Sequence, residues 1–235
     1  MTGRVFLAFL SILTVAVPAT AKSAAKAPAR DWTRVVAATP AGGYVLGNPK
    51  AKVKLVEYGS LTCPHCRAFD EEGVPTLLAK YVKPGQVSWE FRNYVRDAAD
   101  LTAALIARCN GAGSFFPLVR ALYKDQPVWF GKARATPKEQ LQQLASQPPQ
   151  QQFVVMAKFA GLDDWAKAHG VPPAKSSQCL ANLKSVDQLV QMTSDATEQH
   201  PDFAGTPTFL INGGLVKNTA SWDQLEPQLK AALGG

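Results

Sequence analysis

The sequence predicts an α/β fold whose strands come from two separated stretches of chain, with a helical block between them. Three observations carry this. An aliphatic and β-branched run, Val53 to Tyr58, leads into Cys63-Pro64-His65-Cys66 and then into helix-like spacing over 67–81. From Asp97 to about His200 the chain shows mostly helical segments. After them, Thr208-Phe209-Leu210-Ile211, Asn212-Gly213-Gly214 and Leu215-Val216 read as a β-hairpin.

In chain order, residues 1–21 have the parts of a secretory signal peptide: Arg4, an apolar run from Val5 to Val17, and a small-residue ending at Ala21. That run is shorter than the roughly 20 residues needed to span a bilayer. Cleavage after Ala21 is therefore expected rather than retention as an anchor. Residues 22–43 read as a flexible leader with room for a short strand near Trp32, Val35 and Val36, and 39–49 as turn material. The first strand-bearing part is 44–96. It holds the run into the cysteine motif, a helix that Gly73 and Pro75 should kink or break, and an alternating strand over 87–95. In that strand Val87, Trp89 and Phe91 face one way, while Ser88, Glu90 and Arg92 form a solvated face. Within the block, 97–201, helices are expected over 100–109, 115–123, 138–145, 151–160 and 176–198, with a polar turn over 146–152. Residues 202–235 complete the fold with the hairpin and an amphipathic helix opened by Ser221.

Composition narrows the function. The 235 residues are 46% hydrophobic and 18% charged, which excludes a disordered or fibrous chain. The formal charge is +7, or +6 once Arg4 is removed with the signal peptide. Lys and Arg are scattered among acids rather than gathered in a patch, so no nucleic-acid partner is expected. The four cysteines, Cys63, Cys66, Cys109 and Cys179, all follow Ala21, and an exported chain with an even count most simply forms two disulfides.

The chemistry centres on Cys63 to Cys66. A strand, a Cys-x-x-Cys and a helix in that order place a thiol at a helix N-terminus, where unpaired N–H groups and the helix dipole favour the thiolate. Pro64 suits the first turn because it has no N–H to leave unpaired. Dithiol–disulfide exchange is the simplest use of such a pair. A metal half-site would need further ligands that the sequence does not supply, and a two-residue loop makes a poor structural staple. Cys109 and Cys179 are expected to form a structural disulfide, with free thiols or a second redox pair as the other readings. His169 and His200 are expected to interact with helix ends rather than to bind metal. No metal and no cofactor other than the redox-active pair is expected.

With Gly47-Asn48-Pro49 before the strand, the Cys-Pro-His-Cys centre, the helical block, and Gly205-Thr206-Pro207-Thr208-Phe209 before the hairpin, the chain resembles the thioredoxin superfamily. Within it the resemblance is to the DsbA-like periplasmic thiol:disulfide oxidoreductases. It covers the chain from about Gly43 onward and implies a thioredoxin fold with an inserted α-helical domain. It implies that Cys63 is the nucleophile and the more exposed cysteine, with Cys66 buried and resolving and His65 assisting the Cys63 thiolate. It also implies a cis peptide before Pro207, which with Thr206 would present backbone to an extended substrate. Glu57 would be a buried acid handling the Cys66 proton, the alternative being a solvent-facing strand glutamate.

The same resemblance implies donation of the Cys63–Cys66 disulfide to exported proteins with free cysteines, reoxidation by a DsbB-type membrane partner, and a periplasmic location. Thr206 stands where the best-known oxidases carry valine, which leaves an isomerase or reductase of the same fold open. The short segment before residue 44 lacks an evident dimerisation element, so a monomer is expected. A copper-binding protein of this fold is the alternative from a different class, since thiolates suit Cu(I).

Overall fold

The computed structural model describes residues 1–3 and 30–235. Residues 4–21 of the signal peptide and 22–29 of the leader lie outside the described residues. A 3₁₀ turn, Trp32–Arg34, comes first in 30–235, with Asp31 capping it through the Thr33 N–H (3.0 Å). Strand β1, Val36–Ala38, follows, so the strand foreseen near 31–37 is shifted and its start is a turn. Strand β2, Tyr44–Gly47, lies in the stretch read as turn material. Its propensity is overridden by tertiary pairing, because Tyr44-Val45-Leu46 is clasped antiparallel between β1 and strand β4, Val87–Asn93.

The central strand β3, Val53–Gly59, runs parallel to β4, Val87–Asn93, and antiparallel to β5, Thr208–Ile211. Strand β6, Gly214–Val216, closes the hairpin, and the sheet order is β1-β2-β4-β3-β5-β6. Asn212 (φ 51°) and Gly213 (φ 85°) form its two-residue turn in the left-handed conformation such hairpins need. Residues one apart on β3 face opposite layers. Leu55 joins Trp89, Phe91 and Phe209 in the main core, while Val56 and Tyr58 join Leu210 and Ala196 on the other face. The second face of β4 is therefore less wet than expected. Ser88 is buried, and Glu90 and Arg92 are half-buried and bonded to each other (2.9 Å).

Between β3 and β4 the chain makes α1, Pro64–Glu72, a short α2, Val74–Thr76, and a π-helical segment, Leu77–Val82. The helix is divided at Gly73, as expected, yet the backbone stays helical across the division. Gly73 keeps helical dihedrals, donates to the Phe69 carbonyl and accepts from Leu77, both at 2.9 Å. Pro75 lies in the first turn of α2, where a missing N–H is harmless. The glycine serves close approach, since a Cβ there would come within 2.9 Å of the Trp222 side chain.

The helical block is more finely divided than its sequence pattern. It comprises α3, Ala98–Arg108; α4, Ala112–Lys124; α5, Gln126–Arg134; α6, Lys138–Ala145; α7, Pro149–Ala160; α8, Leu162–Ala168; α9, Pro173–Leu180; and α10, Leu183–Gln199. Helices α5 and α8 are too short for a clear period. The stretch expected as one helix over 176–198 is two, because Asn182 turns its side chain onto the Ser185 N–H (3.2 Å) and starts α10 anew. Helix α10 lays Ala196 on the sheet face of Val56 and Leu210. Helix α11, Trp222–Leu233, begins with the expected Ser221 capping box, whose partner is Gln224. Among the described residues no helix is long and apolar enough to cross a membrane.

Candidate active site

Strand β3 ends at Gly59, and residues 60–62 carry the chain to Cys63, the N-cap of α1. Gly59 is required by contact, since a Cβ would meet the Phe91 ring at 2.5 Å. Pro64 occupies the first turn of α1, and both it and His65 are exposed. Cys63 and Cys66 are free thiols, so of the two disulfides expected one is present and the structure holds the reduced form of this pair.

Cys63 is less open than the resemblance implied. It is 2% exposed against 0% for Cys66, because the loop before β5 lies over it and the Thr206 carbonyl accepts from its Sγ at 3.1 Å. The Thr206–Pro207 peptide is cis. A thiolate cannot donate to that carbonyl and turns to donors instead. Its pKa is lowered to about 5, chiefly by the Cys66 thiol, then against burial by the Thr206 side chain and the backbone N–H groups of Cys66 and His65. The Thr206 hydroxyl is buried and has no other hydrogen-bond partner. His65 is exposed, and its main-chain N–H is among the groups that lower the Cys63 pKa. The main stabiliser is the second thiol, with the helix-end N–H groups behind it.

Glu57 is buried, 1% exposed, so the solvent-facing alternative is excluded. It shares the apolar face of β3 because every second residue from Val53 points that way, and it lies between Phe91 and Phe209 in register. Trp89 Nε1–H donates to its Oε2 at 3.0 Å. Burial raises the Glu57 pKa well above the usual range, helped by the Asp70 charge and opposed by the Trp89 bond. Burial likewise pushes the Cys66 thiol up, as do Cys63 and the charge of Glu57, while the Ser60 N–H opposes.

The loop from Ser60 to Cys63 is held by residues that sequence reasoning did not single out. Asp100 accepts from Ser60 Oγ (2.6 Å) and the Leu61 N–H (2.8 Å), and Tyr123 donates to the Ser60 carbonyl (3.2 Å). Gln126, at the start of α5, donates to the carbonyls of Leu61 (2.7 Å) and Cys63 (3.1 Å). Arg96 donates to the Thr62 carbonyl at 3.0 Å. The acid three residues after Asp97, which caps α3, was the one visible signal. Gln126 had none, because only the tertiary fold brings α5 to the motif. Asp100 has a pKa raised to about 7 by burial against its hydrogen bonds.

Beside Cys63 a groove of about 470 Å³ runs along Gly205, Thr206, Pro207, Val216, Lys217 and Thr219. Far from it in sequence, Cys109 at the end of α3 and Cys179 in α9 form a disulfide with a Cα–Cα distance of 5.7 Å. Among the described residues no group of three or more His, Cys, Asp or Glu stands close enough to hold a metal ion. His169 stacks on Trp165 and bonds its carbonyl (2.8 Å), and His200 meets the Tyr58 ring edge-on.

The thioredoxin family profile matches residues 39–231. A Rickettsia conorii protein named as a protein-disulfide oxidoreductase is 31% identical over 200 residues, 85% of this chain and 63% of that protein. The chain spans about three fifths of the length of such curated relatives. Disulfide bond formation protein D of Bacillus subtilis is 25% identical over 195 residues, 83% of this chain and 78% of its own. A crystal structure of a protein-disulfide isomerase from Novosphingobium aromaticivorans matches with a TM-score of 0.77 and 35% identity, covering 81% of this chain and 97% of that one. The fold is also that of Wolbachia pipientis α-DsbA1, with a TM-score of 0.63 at 22% identity over 83% of this chain and 92% of that one. A motif cysteine at a helix N-terminus under a cis-proline loop, a sheet interrupted by a helical insertion, and a profile match spanning both halves lead to one assignment: the chain belongs to the thioredoxin family.

Proposed function

We propose that the protein is a thiol:disulfide oxidoreductase that donates the Cys63–Cys66 disulfide to exported proteins during oxidative folding. The observation that carries this reading is the stabilised Cys63 thiolate. A pKa of about 5 is roughly 3.5 units below an ordinary thiol. At pH 7, where the free thiol is mostly protonated, the stabilisation is about 2.7 kcal/mol. Taken alone that makes the pair about 60 mV more oxidising, because the reduced form gains the energy.

The chemistry follows from the geometry. A substrate thiolate entering along the groove attacks Cys63 Sγ. The new S–S bond forms there, the Cys63–Cys66 bond breaks, and its electron pair goes to Cys66, which then takes a proton. Glu57, buried and carrying a raised pKa, is the acid suited to supply it. A second substrate thiolate attacks the substrate sulfur of the mixed disulfide and expels Cys63 as the thiolate its donors favour. The substrate leaves oxidised by two electrons, and the enzyme is left reduced. The groove along Gly205, Thr206 and Pro207 suits an extended peptide. Export, return of the disulfide by a DsbB-type membrane oxidant, and action as a monomer complete the reading.

An isomerase is the second reading. The 35% identical Novosphingobium structure is of a protein-disulfide isomerase, and Thr206 sets a hydroxyl against Cys63. The test is equilibration of the purified protein in glutathione buffers, with the thiols counted by alkylation. A potential well above that of thioredoxin fits a donor. A potential near thioredoxin's sinks it, and recovery of activity by a scrambled substrate protein without net oxidation would favour the isomerase.

A further inference from the structure

We propose that Asp100 is a positioning residue through which the helical insertion holds the Ser60 N–H on the Cys66 sulfur, and so sets how readily Cys66 leaves when the Cys63–Cys66 disulfide is attacked. The proposal rests on thiol–disulfide exchange at this pair but on neither direction of electron flow.

Attack on Cys63 sends the electron pair of the broken S–S bond to Cys66. That sulfur is 0% exposed, so water cannot receive the charge. The donor aimed at it from the main chain is the Ser60 N–H, 3.5 Å away. Ser60 lies just past the end of β3, where no strand ladder fixes its direction. Its anchoring comes from the insertion. Ser60 Oγ donates to Asp100 Oδ2 at 2.6 Å, Leu61 N–H to Asp100 Oδ1 at 2.8 Å, and Tyr123 from α4 holds the Ser60 carbonyl at 3.2 Å.

Asp100 is itself fixed. Its N–H is bonded to Asp97 Oδ1 at 2.8 Å, and its Oδ2 also takes the Arg96 N–H at 3.1 Å. A fully buried carboxylate is costly unless such donors surround it. A helix already capped by Asp97 does not need a second acid, and the side-chain bonds of Asp100 beyond Arg96 all go to residues 60 and 61. Gln126 takes the carbonyls of Leu61 and Cys63, the other half of the loop. The insertion thus grips the loop with Asp100 and Tyr123 on the Cys66 side and Gln126 on the Cys63 side.

That division makes the proposal testable. The oxidised full chain is mixed with excess reduced glutathione at pH 7, quenched with acid, and the mixed disulfide is followed by mass spectrometry. The Cys63 pKa is read separately from the pH dependence of alkylation of the reduced protein. Asp100→Asn and Ser60→Ala are each expected to slow the first exchange about tenfold, as a weakened hydrogen bond to a charged sulfur would. The Cys63 midpoint is expected to stay within about half a unit of its wild-type value, and the double variant to be no slower than the slower single, since both act on one contact. Rates within about twofold of wild type overturn the proposal. So does a parallel rise of the Cys63 midpoint, or a multiplied loss in the double variant, as general loosening of the loop would give. Should Asp100→Asn fail to fold, Ser60→Ala, which leaves the buried carboxylate in place, decides by the same rate and midpoint. A wild-type protein that forms no mixed disulfide overturns the proposed function as well, whereas a failure confined to the variants overturns only this inference.

Discussion

Replacing Cys66 by alanine should raise the Cys63 pKa by about one unit, not return it to the free-thiol range. The Cys66 thiol is the largest stabiliser of the Cys63 thiolate, followed by the Thr206 side chain and the N–H groups of Cys66 and His65, with burial opposing. A hydrogen bond to a charged acceptor contributes about 1.5–3 kcal/mol, and an S–H donor belongs at the low end. At about 1.4 kcal/mol per unit, losing it moves the midpoint from about 5 to about 6. Alanine keeps its N–H, so the other donors remain.

The same change has a stability signature. Because the folded pKa lies below the unfolded one, the Cys63 contribution is fully present above about pH 8.5 and is lost as pH falls through the folded value. With Cys63 2% exposed, solvent screening takes little from it. Asp70, raised to about 6 mainly by burial, and Asp100, raised to about 7, run the other way. They lose stability as pH rises through those values, as does Glu57 with its raised pKa, so the raw profile mixes opposing slopes. The informative quantity is the difference between the reduced protein and Cys63→Ala by urea unfolding, expected to fall by about 2 kcal/mol from pH 7 to pH 5. Alkylation against pH reads the midpoint directly. A Cys66→Ala midpoint still at the wild-type value, or one near 8.5, would refute the reasoning, the first by removing the role of the Cys66 thiol and the second by removing that of the other donors.

Further outcomes follow from the same geometry. Glu57→Gln should stabilise the protein more at pH 8 than at pH 4, because a carboxyl with a raised folded pKa is destabilising once pH exceeds its unfolded value; equal effects at both pH values in chemical denaturation would contradict the burial account. Gly59→Ala should cost about 2 kcal/mol by forcing Phe91 aside, measured by urea unfolding of the oxidised protein. Replacing Cys109 and Cys179 together by alanine should lower stability by up to about 4 kcal/mol, the chain-entropy value for a 70-residue separation, with glutathione exchange at Cys63 retained; loss of that exchange would mean the second disulfide takes part in the chemistry.

What the sequence carried is what local chemistry writes. The Cys-x-x-Cys after a buried strand, the Asn212-Gly213 turn and the Ser221 cap are each decided by a few neighbouring residues, and the structure places each where those residues imply. Strand β2 was illegible because Tyr44-Val45-Leu46 becomes a strand only when β1 and β4 flank it. The division of 176–198 turned on whether one side chain, that of Asn182, closed on Ser185, which helical spacing does not encode. The alternation along β3 placed Glu57 on one face but did not say which face was core, and burial decides between a surface glutamate and an acid beneath the active site. Asp100, Tyr123 and Gln126 lie between 39 and 65 residues from the loop atoms they bind. Their sequence surroundings are those of ordinary helices. Residues that react are marked by their chemistry, whereas residues that position them are marked only by contact. In a fold with an insertion those contacts come from the inserted segment, so the part of the chain with the weakest functional signature holds the loop on which the cysteines depend.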